Sequence, residues 1–276
     1  MTNIDLHSHS TISDGTLSPV AVVERAHAQG VTLYALTDHD EVRGLAAAAE
    51  RAQVLGMGFV PGVEISVTWA DETIHIVGLQ IDASHPQLLA GLAQTRNGRQ
   101  ARAEEMALDL ARVGIPNTYE GALKYVGNPD LISRSHFGRY LVEAGFATST
   151  QDAFSKYLTP GHPGYIPHRW AKLADAVQWI QQAGGVAVIA HPARYKLSDT
   201  VRYALYDEFK ALGGVGIEVV TGSHAPEEYG TYAQHAREWG FLASRGSDFH
   251  GPTEGCAELG SLPPLPSDLT PIWSVF

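Results

Sequence analysis

The stretch Ile4-Asp5-Leu6-His7-Ser8-His9-Ser10, with Asp14 close behind, opens as an apolar run and closes on polar side chains. That pattern predicts a β-strand over about residues 3–8. Successive side chains on a strand point to opposite faces, so His7 and His9 share one face with their Cα atoms about 7 Å apart. Two imidazoles so placed are either half of a metal site or a pair of surface histidines near an N-terminus. The pair alone does not choose between these; the rest of the chain does.

Outward from this strand, apolar runs alternate with helical patterns. Ser18 suits a helix N-cap, Pro19 the first helical position and Gly30 the stop. VTLYALTDHD (31–40) reads as a second strand ending in polar residues, and an alanine-rich helix over about 41–55 closes at Gly56. GFVPGVEISVTW (58–69) and ETIHIVGLQI (72–81) read as the third and fourth strands, joined by a turn at Asp71-Glu72. Later, helices over about 170–183, 199–212 and 226–238 precede the strands VAVIAHP (186–192), GVGIEVV (214–220) and FLASRGSDFH (241–250).

Between the fourth and fifth strands the chain turns polar and helical, with AQTRNGRQARAEEMALDLARVG (93–114) as its longest helix. We read residues 95–165 as a helical insertion, which leaves 1–94 and 166–276 as the α/β body. The proline-rich tail LPPLPSDLTP (262–271) is expected to lie over the surface. Seven strands, mostly followed by helices, predict an α/β fold: a parallel α/β barrel or an open doubly wound sheet.

The 276 residues are 44% hydrophobic and 18% charged, an ordinary globular balance. A net charge of −11 gives no overall basic footprint for long nucleic acid, although it leaves room for a small phosphorylated substrate. Cys256 is the single cysteine, which excludes an intrachain disulfide and a thiolate zinc cluster. No basic leader and no run of eighteen apolar residues is visible, so a cytoplasmic protein without membrane contact is expected.

In barrels and open parallel sheets alike, ligands bind beyond the carboxyl ends of the strands. Here those ends carry His7 and His9, then Asp38, His39 and Asp40, with Glu64 and His75 on the next two strands. His191, Glu218, Asp248 and His250 complete the series. Charged groups are costly at buried strand positions unless paired or bound to a metal, and packing does not explain so many at one end. Imidazoles and carboxylates without thiolate fit zinc, manganese or iron in a cluster of two or three ions. His162, His168 and His224 lie in loop-like sequence that could approach the site.

The ordered set His-X-His with a following Asp, Thr-Asp-His-Asp, Gly-Val-Glu, an isolated strand His, Ala-His-Pro and Ser-Asp-X-His resembles the polymerase-and-histidinol-phosphatase (PHP) family. The resemblance runs from Asp5 to His250 outside the insertion. It implies a distorted (β/α)7 barrel that hydrolyses phosphoesters with two or three divalent ions, manganese first, with zinc or iron as alternatives. It further implies that His7, His9, Glu64 and Asp248 hold one ion, and that Glu64 bridges to a second held by His75 and His191. Asp14, His39 and His250 would hold a third. Asp40 is expected to orient His39, and Asp38 either to do the same or to cap the following helix.

Ile132-Ser133-Arg134-Ser135-His136-Phe137 is similar to a Gly-Arg-Pro-His-Ile pattern in the insertion of small stand-alone members, with Ser133 for Gly and Ser135 for Pro. Those members include nucleoside 3′,5′-bisphosphate phosphatases, and related enzymes trim short RNA or DNA from the 5′ end. The resemblance therefore implies hydrolysis of a phosphomonoester, most simply the 3′-phosphate of such a bisphosphate, by a metal-bridging hydroxide. An exonuclease, a histidinol-phosphate phosphatase and a regulatory binding module are the alternatives. Arg134, Arg194, His136 and Asp14 are the expected substrate contacts, with Arg245 and Lys156 behind them. His191, His250 and Asp248 are the expected catalytic groups. Tyr165 and Trp170, where the insertion returns, are candidates to stack on a base.

Overall fold

The computed structural model describes residues 3–254 and 257–276, so Cys256 lies outside the described residues. Seven strands form one sheet in chain order: β1 (Ile4–Asp5), β2 (Leu33–Leu36), β3 (Gly58–Trp69), β4 (Glu72–Leu79), β5 (Val186–Ile189), β6 (Gly216–Thr221) and β7 (Leu242–Gly246). β1 to β3 pair in parallel, as do β5 to β7. β4 is antiparallel to both β3 and β5, so the parallel order expected from alternation fails there. Only Ala70 and Asp71 separate β3 from β4, with φ of 48° and 61°. A two-residue turn with both central φ angles positive joins antiparallel strands; a parallel crossover needs a dozen residues or more.

The sheet curls until its ends meet. The Leu6 N–H donates to the Arg245 carbonyl at 3.0 Å and the Asp248 N–H to the His7 carbonyl at 2.9 Å. Ser8 forms a parallel bridge to Phe249. This nearly closed sheet is the barrel, not the open doubly wound alternative. The regular part of β1 is shorter than expected because residues after Asp5 pair with the β7 side through these single bonds. The seam also explains Gly246, where a Cβ would sit 2.3 Å from the His7 Cβ and 2.5 Å from its backbone nitrogen. Gly246→Ala is expected to cost about 1–3 kcal/mol, the range for overpacking, because the obstacle includes backbone. A urea midpoint equal to wild type would show the seam to be slack.

Ile4, Leu6, Val60, Val77, Val188 and Ile272 fill the barrel interior. Outside it pack α1 (Pro19–Ala28), α2 (Leu45–Val54) and α3 (Pro86–Arg96). The insertion holds α4 (Arg99–Arg112), α5 (Thr118–Leu123), α6 (Arg134–Glu143) and α7 (Thr150–Ala153), and α8 (Leu173–Gln182), α9 (Asp199–Ala211) and α10 (Tyr229–Trp239) return to the barrel wall. α1 begins as predicted, with Ser18 Oγ accepting the Ala21 N–H at 3.2 Å. α2 starts later than residue 41 because the Glu41 carboxylate takes the Val42 and Arg43 N–H groups at 2.9 and 3.1 Å. The single helix expected over 93–114 breaks at Asn97-Gly98, where Gly98 has φ of 86°, a conformation open to glycine at little cost.

α4 to α7 share an apolar cluster of their own, built on Met106, Leu110, Phe137 and Leu141. The proline-rich tail does run over the surface, yet its end does not stay there: Ile272 is fully buried inside the barrel. Among the described residues no helix is long and apolar enough to cross a membrane.

Candidate metal centre

The carboxyl ends of the parallel strands and the amino-terminal half of the antiparallel β4 converge on one cluster. His7 and His9 point the same way after β1, with their Nε2 atoms 3.2 Å apart. Asp248, beyond β7, places Oδ1 3.1 Å from His9 Nε2 and 3.5 Å from His7 Nε2. Glu64, in β3, places Oε2 3.4 Å from each of those nitrogens. Four donors bound tetrahedrally at roughly 2.0–2.2 Å lie about 3.3–3.6 Å from one another. His7, His9 and Asp248 approach that spacing and group closely enough to share one ion, as do His7, Glu64 and His191.

Glu64 extends the cluster. Its Oε1 lies 2.8 Å from His75 Nδ1 and 2.9 Å from His191 Nε2. His39 Nδ1 is 2.8 Å from Glu64 Oε2, while His39 Nε2 and His250 Nε2 approach Asp14 Oδ1 at 3.7 and 3.4 Å. Donor atoms close enough to share an ion also group His9 with Asp14, His39 and His250. All nine expected ligands thus meet in one place, with His9 and Glu64 common to neighbouring groups.

The buried polar atoms test whether ions fit. Glu64 Oε2 and Asp14 Oδ1 are buried and accept no hydrogen bond, although imidazole nitrogens surround both. A buried carboxylate oxygen without a donor costs several kcal/mol unless a cation faces it. Imidazole and carboxylate donors suit such a cation, and the second nitrogens of His7 and His250 are held by Glu218 and the Asp248 carbonyl. His250 Nδ1 sits 2.8 Å from the Asp248 carbonyl, which can only accept, so Nε2 carries the lone pair.

Electrostatics agree. Burial acts to raise Asp14, Glu64 and Asp248, yet the surrounding histidines hold all three well below the usual carboxylate range. Burial, with His250 and His39 adding to it, lowers His9 to about 3, and burial lowers His191 to about 3 against the pull of Glu64. Burial would also lower His39, but Glu64 and Asp14 outweigh it and raise this ring to about 9. Ions must displace that proton, so their binding weakens as pH falls.

Supporting residues differ from expectation at three points. Glu218 lies in β6 and was counted in the strand-end series without being assigned a role. It holds His7 through an Nδ1–Oε1 bond of 2.8 Å and accepts the His191 N–H at 2.7 Å. Its signal was a lone carboxylate in the apolar run GIEVV, the kind of residue that orients a metal-bound histidine. Asp40 does not orient His39; it accepts from the Ser66 N–H at 2.8 Å and pairs with Arg99. Asp38 neither orients His39 nor caps α2. It binds the Ser10 N–H and hydroxyl, both at 2.7 Å, and the Ser13 hydroxyl at 2.6 Å, pinning the turn that carries Asp14.

A cavity of about 820 Å³ opens above the cluster, between barrel and insertion. Asp14, His39, His75, Asp248 and His250 form its floor; Arg99, Arg102, Arg134, Arg194, Lys196 and Trp170 stand around them. An acidic chain has gathered five basic side chains here. Arg194 reaches Asp248 Oδ2 at 3.4 Å. Arg99 lies 4.4 Å from the Trp170 ring centre, and burial followed by the charges of Arg134 and Arg99 pushes Arg102 down to about 9. Arg99 and Arg102 were missed because they read as surface positions of one long helix. Trp170 belongs to the loop before α8, not to a helix core.

His136 is not in the cavity wall. It is fully buried, and its Nδ1 accepts the Ser133 N–H at 3.0 Å, so it shapes the start of α6 instead of touching substrate. Arg245 is also structural, with Nε donating to the Pro263 carbonyl at 2.9 Å, and exposed Lys156 pairs with Asp152 at 2.8 Å. His162 lines the cavity, whereas His224 is buried and accepts the Ala193 N–H at 3.2 Å.

Comparison with known proteins follows the same lines. The PHP domain family model matches residues 5–187. A 3′,5′-nucleoside bisphosphate phosphatase from Chromobacterium violaceum is 50% identical over 273 residues, 99% of this chain and 96% of that protein. A 5′-3′ exoribonuclease from Escherichia coli is 41% identical over 274 residues, 99% of this chain and 93% of that protein. Among solved structures, an amidohydrolase from C. violaceum with bound sulfate and no metal is 49% identical, with a TM-score of 0.96 over 99% of this chain and 95% of that one.

Proposed function

The chain belongs to the PHP domain family, and from that membership we propose that it is a metal-dependent phosphatase removing the 3′-phosphate of a nucleoside 3′,5′-bisphosphate to leave a 5′-mononucleotide. One observation carries the reading: an 820 Å³ cavity with a carboxylate–imidazole floor and a wall of five basic side chains. A single phosphate does not need so many cations. A substrate with two phosphates, one at the floor and one at the wall, uses them all. The relative that hydrolyses nucleoside 3′,5′-bisphosphates supports the same substrate class.

In this reading His7, His9, Glu64 and Asp248 would hold one ion, Glu64 with His75 and His191 a second, and Asp14, His39 and His250 a third. Divalent ions held there would supply an activated water and neutralise phosphoryl oxygens, chemistry open to manganese, zinc or iron alike. Arg194, beside Asp248, orients the oxygens of the reacting phosphate through its planar fork. Arg99, Arg102 and Arg134 receive the second phosphate, and the Trp170 and Tyr165 rings flank the space a base would enter. His191 and His250 would serve as ligands and not as proton donors, because His191 does not reach the cavity and His250 has Nδ1 on the Asp248 carbonyl and would give Nε2 to an ion. The insertion, about residues 95–165, covers the barrel mouth and limits substrate length.

Adenosine 3′,5′-bisphosphate supplied with manganese is expected to yield inorganic phosphate and AMP in equal amounts. The 41% identity to an exoribonuclease makes a 5′-phosphorylated trinucleotide the informative competitor, since the same floor could cleave it to mononucleotides. A higher kcat/KM for the trinucleotide, or for histidinol phosphate, would replace the proposal.

A further inference from the structure

We propose that Ser133 and Ser135, at the start of α6, are positioning residues that tie the insertion to Asp14 and so govern occupancy of the Asp14–His39–His250 ion site. The inference rests on the metal reading above. Asp14 Oδ2 accepts a hydrogen bond from Ser135 Oγ at 2.9 Å and from Ser133 Oγ at 3.3 Å. The two oxygens of a carboxylate share one plane, so fixing Oδ2 fixes the direction of Oδ1. Oδ1 is the atom left buried without a donor, facing His250 Nε2 at 3.4 Å and His39 Nε2 at 3.7 Å.

The grip continues along α6. Arg139 donates to the Asp14 carbonyl and pairs with Glu254, so the helix holds both backbone and side chain of this residue. The Ser133 N–H donates to His136 Nδ1 at 3.0 Å, and the Ser133 hydroxyl lies between that nitrogen at 3.2 Å and Asp14 Oδ2 at 3.3 Å, so Ser135 makes the closer tie. The turn itself has little slack. A Cβ at Gly15 would lie 2.5 Å from the His9 carbonyl oxygen, and one at Gly127, in the insertion, 2.1 Å from the Thr11 carbonyl oxygen. The tie thus runs from the insertion to the barrel turn that carries Asp14. It makes the insertion part of the scaffold of one ion site, as well as a cover.

The test counts ions. Chelator-stripped wild type, Ser135→Ala and Ser133→Ala/Ser135→Ala proteins are titrated with Mn²⁺, with bound metal measured by equilibrium dialysis and elemental analysis. Wild type is expected to take up three ions. In the variants two should bind as before while the affinity of the third falls roughly 10–100-fold, the usual cost of removing a hydrogen-bond partner of a metal ligand. Ser135→Thr, which keeps a hydroxyl, should restore it. Amide exchange supplies a readout independent of activity: residues 134–143 should gain protection as the third ion binds to wild type and not in the double variant. Superimposable titrations, or a wild type that saturates at two ions, overturn the tie and leave the metal reading standing. A wild type that binds no Mn²⁺ overturns the metal reading itself.

Discussion

Glu64→Gln is expected to strip the cluster of its ions and to abolish phosphatase activity while far-UV dichroism stays that of a folded barrel. Glu64 is fully buried and touches more of the cluster than any other side chain described above, with Oε1 on His75 and His191 and Oε2 on His7, His9 and His39. Glutamine keeps the shape but replaces an oxygen with an NH₂ group, which donates and cannot bridge. Removing an outer partner of a ligand already costs roughly 10–100-fold in metal affinity, so loss of the bridging ligand itself should exceed that range. Bound manganese near the wild-type amount, with near-normal turnover, would rule out the bridge.

The same variant carries a pH signature in the metal-free protein. His39 is raised from 6.5 to about 9, against burial, by Glu64 first and Asp14 second. A folded-state value above the unfolded one means that His39 contributes stability fully present below pH 6.5 and lost as pH rises through about 9. His9 and His191, lowered from 6.5 to about 3, act in the opposite window and lose stability as pH falls below 6.5. Without the Glu64 charge the high-pH component should shrink. The thermal midpoint of metal-free Glu64→Gln is therefore expected to vary less between pH 6.5 and 9 than that of metal-free wild type.

What could be read from the chain divides along a physical line. The nine expected ligands were legible because each belongs to a short local motif, six of them just beyond a strand end, Glu64 and His75 within β3 and β4 and Asp14 in the turn after β1. β4 was misjudged for orientation although its two-residue turn was in view, because apolar runs carry no direction and turn length had to overrule the α/β rhythm. Glu218 was visible as a buried-strand carboxylate but lacked a partner until the fold brought its Oε1 within 2.8 Å of His7 Nδ1. Arg99 and Arg102 were hidden for a different reason. Their role depends on the break at Gly98 and on contact with Asp40 and Trp170, both far away in sequence. Long-range pairing of a single side chain leaves no periodic trace.

The wall of the cavity is where the substrate assignment is most exposed to test, through Arg134. This residue opens α6, donates to the Leu158 carbonyl at 3.2 Å, and has its guanidinium 5.6 and 5.8 Å from the Phe154 and Tyr165 ring centres. One donor is used and the rings hold the plane, which leaves further N–H groups for an anion in the cavity. Burial first, with Arg194 and Arg99 acting the same way and Tyr165 opposing, lowers its pKa, and an anion beside it would favour its charged form. Arg134→Ala should then lower kcat/KM for adenosine 3′,5′-bisphosphate by about 10–100-fold, the equivalent of losing a charged hydrogen bond worth about 1.5–3 kcal/mol. The loss should fall mainly on KM, because the second phosphate is held alike in ground and transition states. Adenosine 3′-monophosphate, which has no second phosphate to lose, should be hydrolysed by the variant and by wild type at similar rates. Arg134→Lys should recover only part of the difference, since an ammonium lacks the planar fork. Equal losses on the bisphosphate and the monophosphate would place Arg134 at the reacting phosphate or in the support of α6, and the second phosphate would then have to be sought at Arg99 and Arg102.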